Sequence, residues 1–147
     1  MNIISRSATS DDFESIYSLI SDLEGHAMDK GSFKSIFLKN LSDLNIHYLV
    51  AEKDSRIVGF ISLHVQHILH HSRPTCELQE LNITAALRGS GVGSLLMQEA
   101  ERIARSLNLE EIELTTRIHR EKAQDFYRKL GYEHTHNKFV EKLFLPH

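Results

Sequence analysis

The residues best suited to chemistry begin with Arg88-Gly89-Ser90-Gly91-Val92-Gly93. A strand-like run, Glu77 to Ile83, leads into them, and a helical run leaves them from Ser94. A strand, a glycine-rich turn and a helix start in that order make an anion site: the glycines admit close approach, and several N–H groups without helical partners point at one spot. A phosphate or pyrophosphate is the expected ligand, against the plainer reading of a turn that binds nothing. A nucleoside-triphosphate loop needs a lysine after its last glycine, and here Gly93-Ser94 stands. A dinucleotide loop needs an acid near the end of the next strand, which here ends Thr115-Thr116-Arg117. A second group is the run Leu63-His64-Val65-Gln66-His67-Ile68-Leu69-His70-His71. On an extended strand His64, Gln66 and Ile68 share one face, and His67, Leu69 and His71 the other. Imidazoles bind divalent metals, but this spacing matches no strong zinc motif, and a polar strand edge is the plainer reading.

These residues need a scaffold, and the chain can supply one. Its 147 residues, 41% hydrophobic and 25% charged, suit one α/β domain over residues 1–147. The net charge of −3 gives no general attraction to nucleic acid. One cysteine, Cys76, excludes an internal disulfide and a cysteine metal cluster; it reads as a half-buried small residue. No apolar run approaches a membrane span, and Met1 to Arg6 lacks a signal-peptide core, so a cytoplasmic protein without membrane partners is expected.

Patterning predicts a strand at 2–7 and a helix from the Thr9–Asp12 cap to Leu23. A loop at 25–31, a helix at 32–41, a strand at 47–52 and a long strand at 57–66 follow. Beyond the histidines come a strand at 75–83, a strong amphipathic helix at 91–107 and a strand at 112–115. A helix at 121–130 ends at Gly131, and closing strands are expected at 132–136 and 139–144. A central mixed sheet with helices on both faces accommodates this order.

A second motif, Ala123-Gln124-Asp125-Phe126-Tyr127-Arg128-Lys129-Leu130-Gly131-Tyr132, stands one long helix, one short strand and one further helix start beyond the loop. Together the two motifs resemble the GNAT N-acetyltransferases, over roughly Tyr48 to Phe144. The chain has Ala85 where the family often has Pro, and Arg120 where it often has Asn. The resemblance implies a largely antiparallel twisted sheet, splayed where acetyl-coenzyme A binds. It implies that Arg88, Gly89, Ser90, Gly91, Val92, Gly93 and Ser94 hold the pyrophosphate. The backbone of Leu81, Asn82 and Ile83 would pair with the pantetheine arm like an added strand.

Such a reaction needs a base, because an ammonium cannot attack a thioester. Glu77 and Glu80 lie on the strand before the loop; three apart, they face opposite ways unless a bulge shifts the register. Glu77, eleven residues before Arg88, resembles the family's catalytic glutamate, with Glu80 the alternative. On a helix Phe126 and Tyr127 face about 100° apart, so Phe126 can enter the core while Tyr127 enters the cleft. The resemblance makes Tyr127 the proton donor to the leaving thiolate.

The string Leu-His-x-Gln-x-x-Leu-His-His, followed by Glu-x-Gln-Glu-Leu, resembles a narrower group, the aminoalkylphosphonate N-acetyltransferases. That implies a small aminoalkylphosphonate as substrate and an associated divalent cation. His64, Gln66, His70 and His71 become substrate-binding candidates, with His70 and His71 as candidate metal ligands. Other small amines (a polyamine, an amino sugar), a protein amine and a non-catalytic acyl-coenzyme A sensor are the alternatives. A homodimer is expected by analogy with small family members.

Overall fold

The computed structural model describes residues 2–144. The chain divides into two compact units, one ending at Leu114 and one beginning at Thr115.

The first unit is an α/β layer structure. Its strands are β1 (Ile3–Ser7), β2 (Ile46–Lys53), β3 (Arg56–Gln66), β4 (Thr75–Ile83) and β5 (Ile112–Leu114), paired in that order. All pairings are antiparallel except β4 with β5, which is parallel. The β2–β3 turn has Asp54 and Ser55 both at positive φ, 50° and 62°, the conformation a two-residue hairpin demands. Helices α1 (Phe13–Glu24) and α2 (Lys30–Leu41) cover one face of the sheet, where Phe13, Ile16, Ile20 and Phe37 pack with Val50 and Phe60. Asp29 caps α2 by accepting from the Ser32 N–H at 2.9 Å, which starts that helix two residues earlier than patterning alone predicts. Arg6 grips Asp12 with two bonds of 2.8 and 2.9 Å, fixing β1 to the approach of α1 and holding the Asp12 carboxyl below its usual range.

Helix α3 (Val92–Ser106) covers the other face. Leu96 and Met97 are fully buried there, each such burial being worth about 1.5–3 kcal/mol. Gly59 permits the approach: a Cβ there would lie 2.8 Å from Ile83 Cδ1 and 3.1 Å from Leu96 Cδ1. Cys76 is buried where β4 meets β5, and burial pushes its thiol up to about 11, with the Glu113 charge adding to the effect. Cys76 is thus a small core residue, fully buried rather than half-buried as expected.

The second unit holds one helix, α4 (Glu121–Lys129). It closes as the sequence predicts, with Gly131 at φ 95° and with the Tyr132 and Gly131 N–H groups donating to Tyr127 and Arg128 carbonyls, both at 3.0 Å. The strands expected at 132–136 and 139–144 do not form; that stretch is irregular. Phe139 and Phe144 are more than nine-tenths exposed. Residues of the right type make a strand only where another strand pairs with them, and neither run has a ladder partner among the described residues. Phe126 is likewise only half-buried and lies edge-on to Tyr127 at 5.2 Å, so it does not enter a core as expected. No helix among the described residues is long and apolar enough to cross a membrane.

Candidate active site

Strand β4 carries the two candidate bases, Glu77 and Glu80. It pairs with β3 along its length, from Gln66 opposite Thr75 to Gly59 opposite Ile83. Leu63 pairs with Leu78 but the adjacent Ser62 pairs with Glu80, leaving Gln79 as an extra residue. This bulge corrects the alternation expected for a regular strand. Glu77 lies opposite His64 and Glu80 opposite Ser62, and His64 and Ser62 share a face, so Glu77 and Glu80 share one too. The two candidate bases thus stand side by side on the face covered by α1 and α2.

Their surroundings differ. Glu77 accepts a bond from Gln66 Nε2 at 3.1 Å and lies in register between His64 and Glu113. Glu80 accepts from the buried Ser62 hydroxyl, whose oxygen in turn accepts from the Glu80 N–H at 3.0 Å. The Glu80 charge also helps burial raise the pKa of Tyr48, opposed by the Asn40 amide bonded to that phenol.

Beyond Leu78, β4 has no strand partner on its β5 side among the described residues, since β5 pairs only with Cys76, Glu77 and Leu78. Leu81, Asn82 and Ile83 therefore lie on an edge without a strand partner just before the loop, where the Ile83 carbonyl accepts a side-chain bond from Arg88. There Gly89 and Gly91 sit at φ 80° and 96°, and a Cβ on either would meet nothing within 4 Å. The first intrahelical bond of α3 is Leu95 N–H to Gly91 O at 3.0 Å, so the N–H groups of Val92, Gly93 and Ser94 precede the helical ladder. Free donors, the positive end of a 15-residue helix and open space fit a pyrophosphate.

Arg88 is turned away from that duty. Its guanidinium donates to Asp22 at 2.6 Å, to the Ile83 carbonyl at 3.2 Å and to Asn82 Oδ1 at 3.4 Å. The Asn82 amide donates to Asp22 and to the Leu19 carbonyl, both at 2.9 Å. Bonding by Asn82, followed by the Arg88 charge, holds the Asp22 carboxyl below its usual range despite some desolvation. Asp22 thus ties α1 to the end of β4 and to the loop, a role that sequence reasoning missed. One signal was present: an acid in the last turn of a helix opposes the helix dipole, which implies a partner elsewhere.

The histidines separate. His64 and Gln66 reach the Glu77 row; the rings of His70 and His71 lie 4.4 Å apart, tilted by 35°, in the turn before β4. His71 Nε2 lies 3.1 Å from Glu113, and its Nδ1 lies 3.6 Å from Glu111 and 3.7 Å from Glu110. His71, Glu111 and Glu113 offer one nitrogen and two carboxylate oxygens within 4.8 Å of one another, a donor set suited to a divalent cation. Glu113 links this cluster to Glu77, its register neighbour. Glu111, just before β5, and Glu113 on it were not among the sequence candidates.

In the second unit, Tyr127 is half-buried, and its phenol is pushed up to about 12, chiefly by burial and against the nearby Arg120 charge. It therefore keeps its proton across the neutral range. Arg120 stands at the N-cap of α4 and makes no capping bond through its side chain, in the position where the family's Asn would be a natural cap.

Residues 13–132 match the model of the acetyltransferase (GNAT) family. Over 138 residues, 94% of this chain and 90% of the relative, the sequence is 41% identical to an aminoalkylphosphonate N-acetyltransferase of Salmonella typhimurium. Among solved structures, a protein of Bacillus halodurans described as a transcriptional regulator superposes with a TM-score of 0.88 at 24% identity, covering 97% of this chain and all of the other. A GNAT family acetyltransferase of Staphylococcus aureus superposes at 0.80 with 21% identity and the same coverage. These two likenesses establish the fold.

Proposed function

The chain belongs to the acetyltransferase (GNAT) family and is an N-acetyltransferase, and from that premise we propose that it moves the acetyl group of acetyl-coenzyme A to the primary amine of a small aminoalkylphosphonate. The observation that carries the substrate class is the likeness, along nearly the whole chain, to the Salmonella enzyme of that name. The polar row of His64, Gln66 and Glu77, continued by Glu113 and His71, is consistent with a small polar acceptor.

In this reading the N–H groups of Val92, Gly93 and Ser94, which follow the Gly89–Gly91 turn, hold the pyrophosphate, whereas those of Arg88 and Ser90 already donate to the Ala85 and Leu87 carbonyls; Leu81, Asn82 and Ile83 pair with the pantetheine arm. Glu77, directly or through a water, takes the proton of the ammonium, with Glu80 as the alternative base on the same face. The amine attacks the thioester carbonyl directly, and Tyr127 returns a proton to the thiolate. His71, Glu111 and Glu113 would hold a divalent cation, which would supply positive charge for the phosphonate; His64, Gln66 and His70 would add donors.

The test is turnover of 2-aminoethylphosphonate against ethanolamine, which keeps the amine and lacks the anion, with and without a divalent metal. A kcat/KM at least about tenfold higher for the phosphonate supports the reading, a factor of ten being about 1.4 kcal/mol of anion recognition. Equal turnover of the two would leave a broader amine acetyltransferase.

A further inference from the structure

Between α1–α2 and the sheet lies a cleft of about 300 Å³. Its walls include Phe33, Phe37, Tyr48 and Phe60. Three of them are in ring contact: Phe37 lies parallel to Tyr48 at 5.7 Å, and Tyr48 meets Phe60 at 5.4 Å with the rings tilted by 60°. Three ionisable side chains other than Tyr48 line it: Glu80 from β4, Glu24 from the end of α1, and His26 just beyond. No lysine or arginine does so among the described residues. This is the reverse of what a phosphonate needs. The Glu80 carboxylate and the aromatic faces repel a dianion, but they suit an ammonium carried on an apolar body, by ion pairing and by attraction between the cation and the rings. The position also suits reaction. Glu80 directly precedes Leu81, where the open edge of β4 begins.

We propose that this cleft admits a second class of acceptor: a primary amine on an aryl or branched alkyl body, without an acidic group. The inference rests on the reading of the open edge and the loop as the acetyl-coenzyme A site. The amine gives a proton to a carboxylate and forms the C–N bond to the acetyl carbon; the C–S bond breaks, and the thiolate takes up a proton. The products are an N-acetylated amine and coenzyme A.

The experiment measures acetylation of 2-phenylethylamine, ethylamine and 2-aminoethylphosphonate by the purified chain, following thiol release and product mass. The expected kcat/KM for 2-phenylethylamine exceeds that for ethylamine by about tenfold or more, the least that burial of a phenyl ring gives. Ile36 lines the cleft and is 60% exposed, so Ile36→Lys should fold and would set a positive charge at the cleft. In that variant the ratio of kcat/KM for 2-phenylethylamine to that for 2-aminoethylphosphonate should fall about tenfold, as expected for one unfavourable contact worth roughly 1.4 kcal/mol. A 2-phenylethylamine rate no better than that of ethylamine, or a ratio unmoved by Ile36→Lys, overturns the inference. Turnover of the phosphonate without 2-phenylethylamine sinks this inference alone. Turnover of 2-phenylethylamine without the phosphonate upholds it and sinks the phosphonate reading, and turnover of neither overturns both.

Discussion

Along β4 the ladder to β3 runs from end to end, whereas the ladder to β5 stops at Leu78. The first half is therefore held on both sides and presents side chains: Glu77 between His64 and Glu113. The second half is held on one side and presents backbone: Leu81, Asn82 and Ile83, followed by the glycine turn. The bulge at Gln79 separates them and turns Glu80 onto the face of Glu77. On the proposed reading, that difference lets one strand serve two ligands. In that reading side-chain chemistry lies where β4 is paired on both sides, and the pantetheine arm is received where a ladder has been left open.

Substitutions can break this division. Glu77→Gln keeps the size and removes the carboxylate, and should lower kcat/KM at neutral pH by about 10²–10³-fold, with partial recovery at alkaline pH as free amine accumulates. Glu80→Gln should do less with an aminoalkylphosphonate. A reversed ranking in the pH–rate profiles would move the base across the bulge. Tyr127→Phe, in the second unit, should lower kcat by about 10²-fold while the coenzyme KM stays near its original value. Turnover within a few-fold of the unaltered enzyme would remove the phenol from the proton path.

Asp22→Asn sharpens the same contrast at smaller scale, because Asp22 touches only the open half, through Asn82 and Arg88. Its ion pair with Arg88 is half-exposed, and such pairs are worth about 0.2–1 kcal/mol, so the coenzyme KM should rise by at most about fivefold. The amine KM should not move; steady-state kinetics with each substrate varied would show an equal effect on both if the clamp merely held the fold.

The smallest effect concerns stability. His47 on β2 is partly buried with an unpartnered Nε2, and burial lowers its pKa in the folded state. The unfolded chain then binds the proton more readily. The stabilisation is complete above about pH 6.5 and is lost as pH falls from there through the lower folded value. Melting midpoints at pH 7.5 and 5.5 should differ by a few degrees, and less in His47→Gln; an identical pH dependence in the variant would assign the loss elsewhere.

How much of this was legible in the sequence follows from distance along the chain. The limits of β4 and α3 came through within a residue or so, because hydrophobic period and the glycine turn are local signals. The bulge did not, since Glu-Leu-Gln-Glu-Leu reads equally well as unbroken alternation. Asp22 lies 60 residues from Asn82 and 66 from Arg88, and His71 about 40 from Glu111 and Glu113, so no spacing could announce either cluster. The closing strands had the right residue types, but a strand is defined by its ladder partner, which local pattern does not supply.

The separation of the two halves of β4 is tested most directly by calorimetric titration of coenzyme A into Glu77→Gln and Gly91→Asp. Glu77→Gln should bind coenzyme A as the unaltered chain does while losing turnover. Gly91→Asp places a carboxylate in the open space above the turn, and should weaken coenzyme binding by about tenfold or more, an unpaired negative charge beside a pyrophosphate costing at least about 1.4 kcal/mol. Full affinity in a folded Gly91→Asp variant, or lost affinity in Glu77→Gln, would contradict the account.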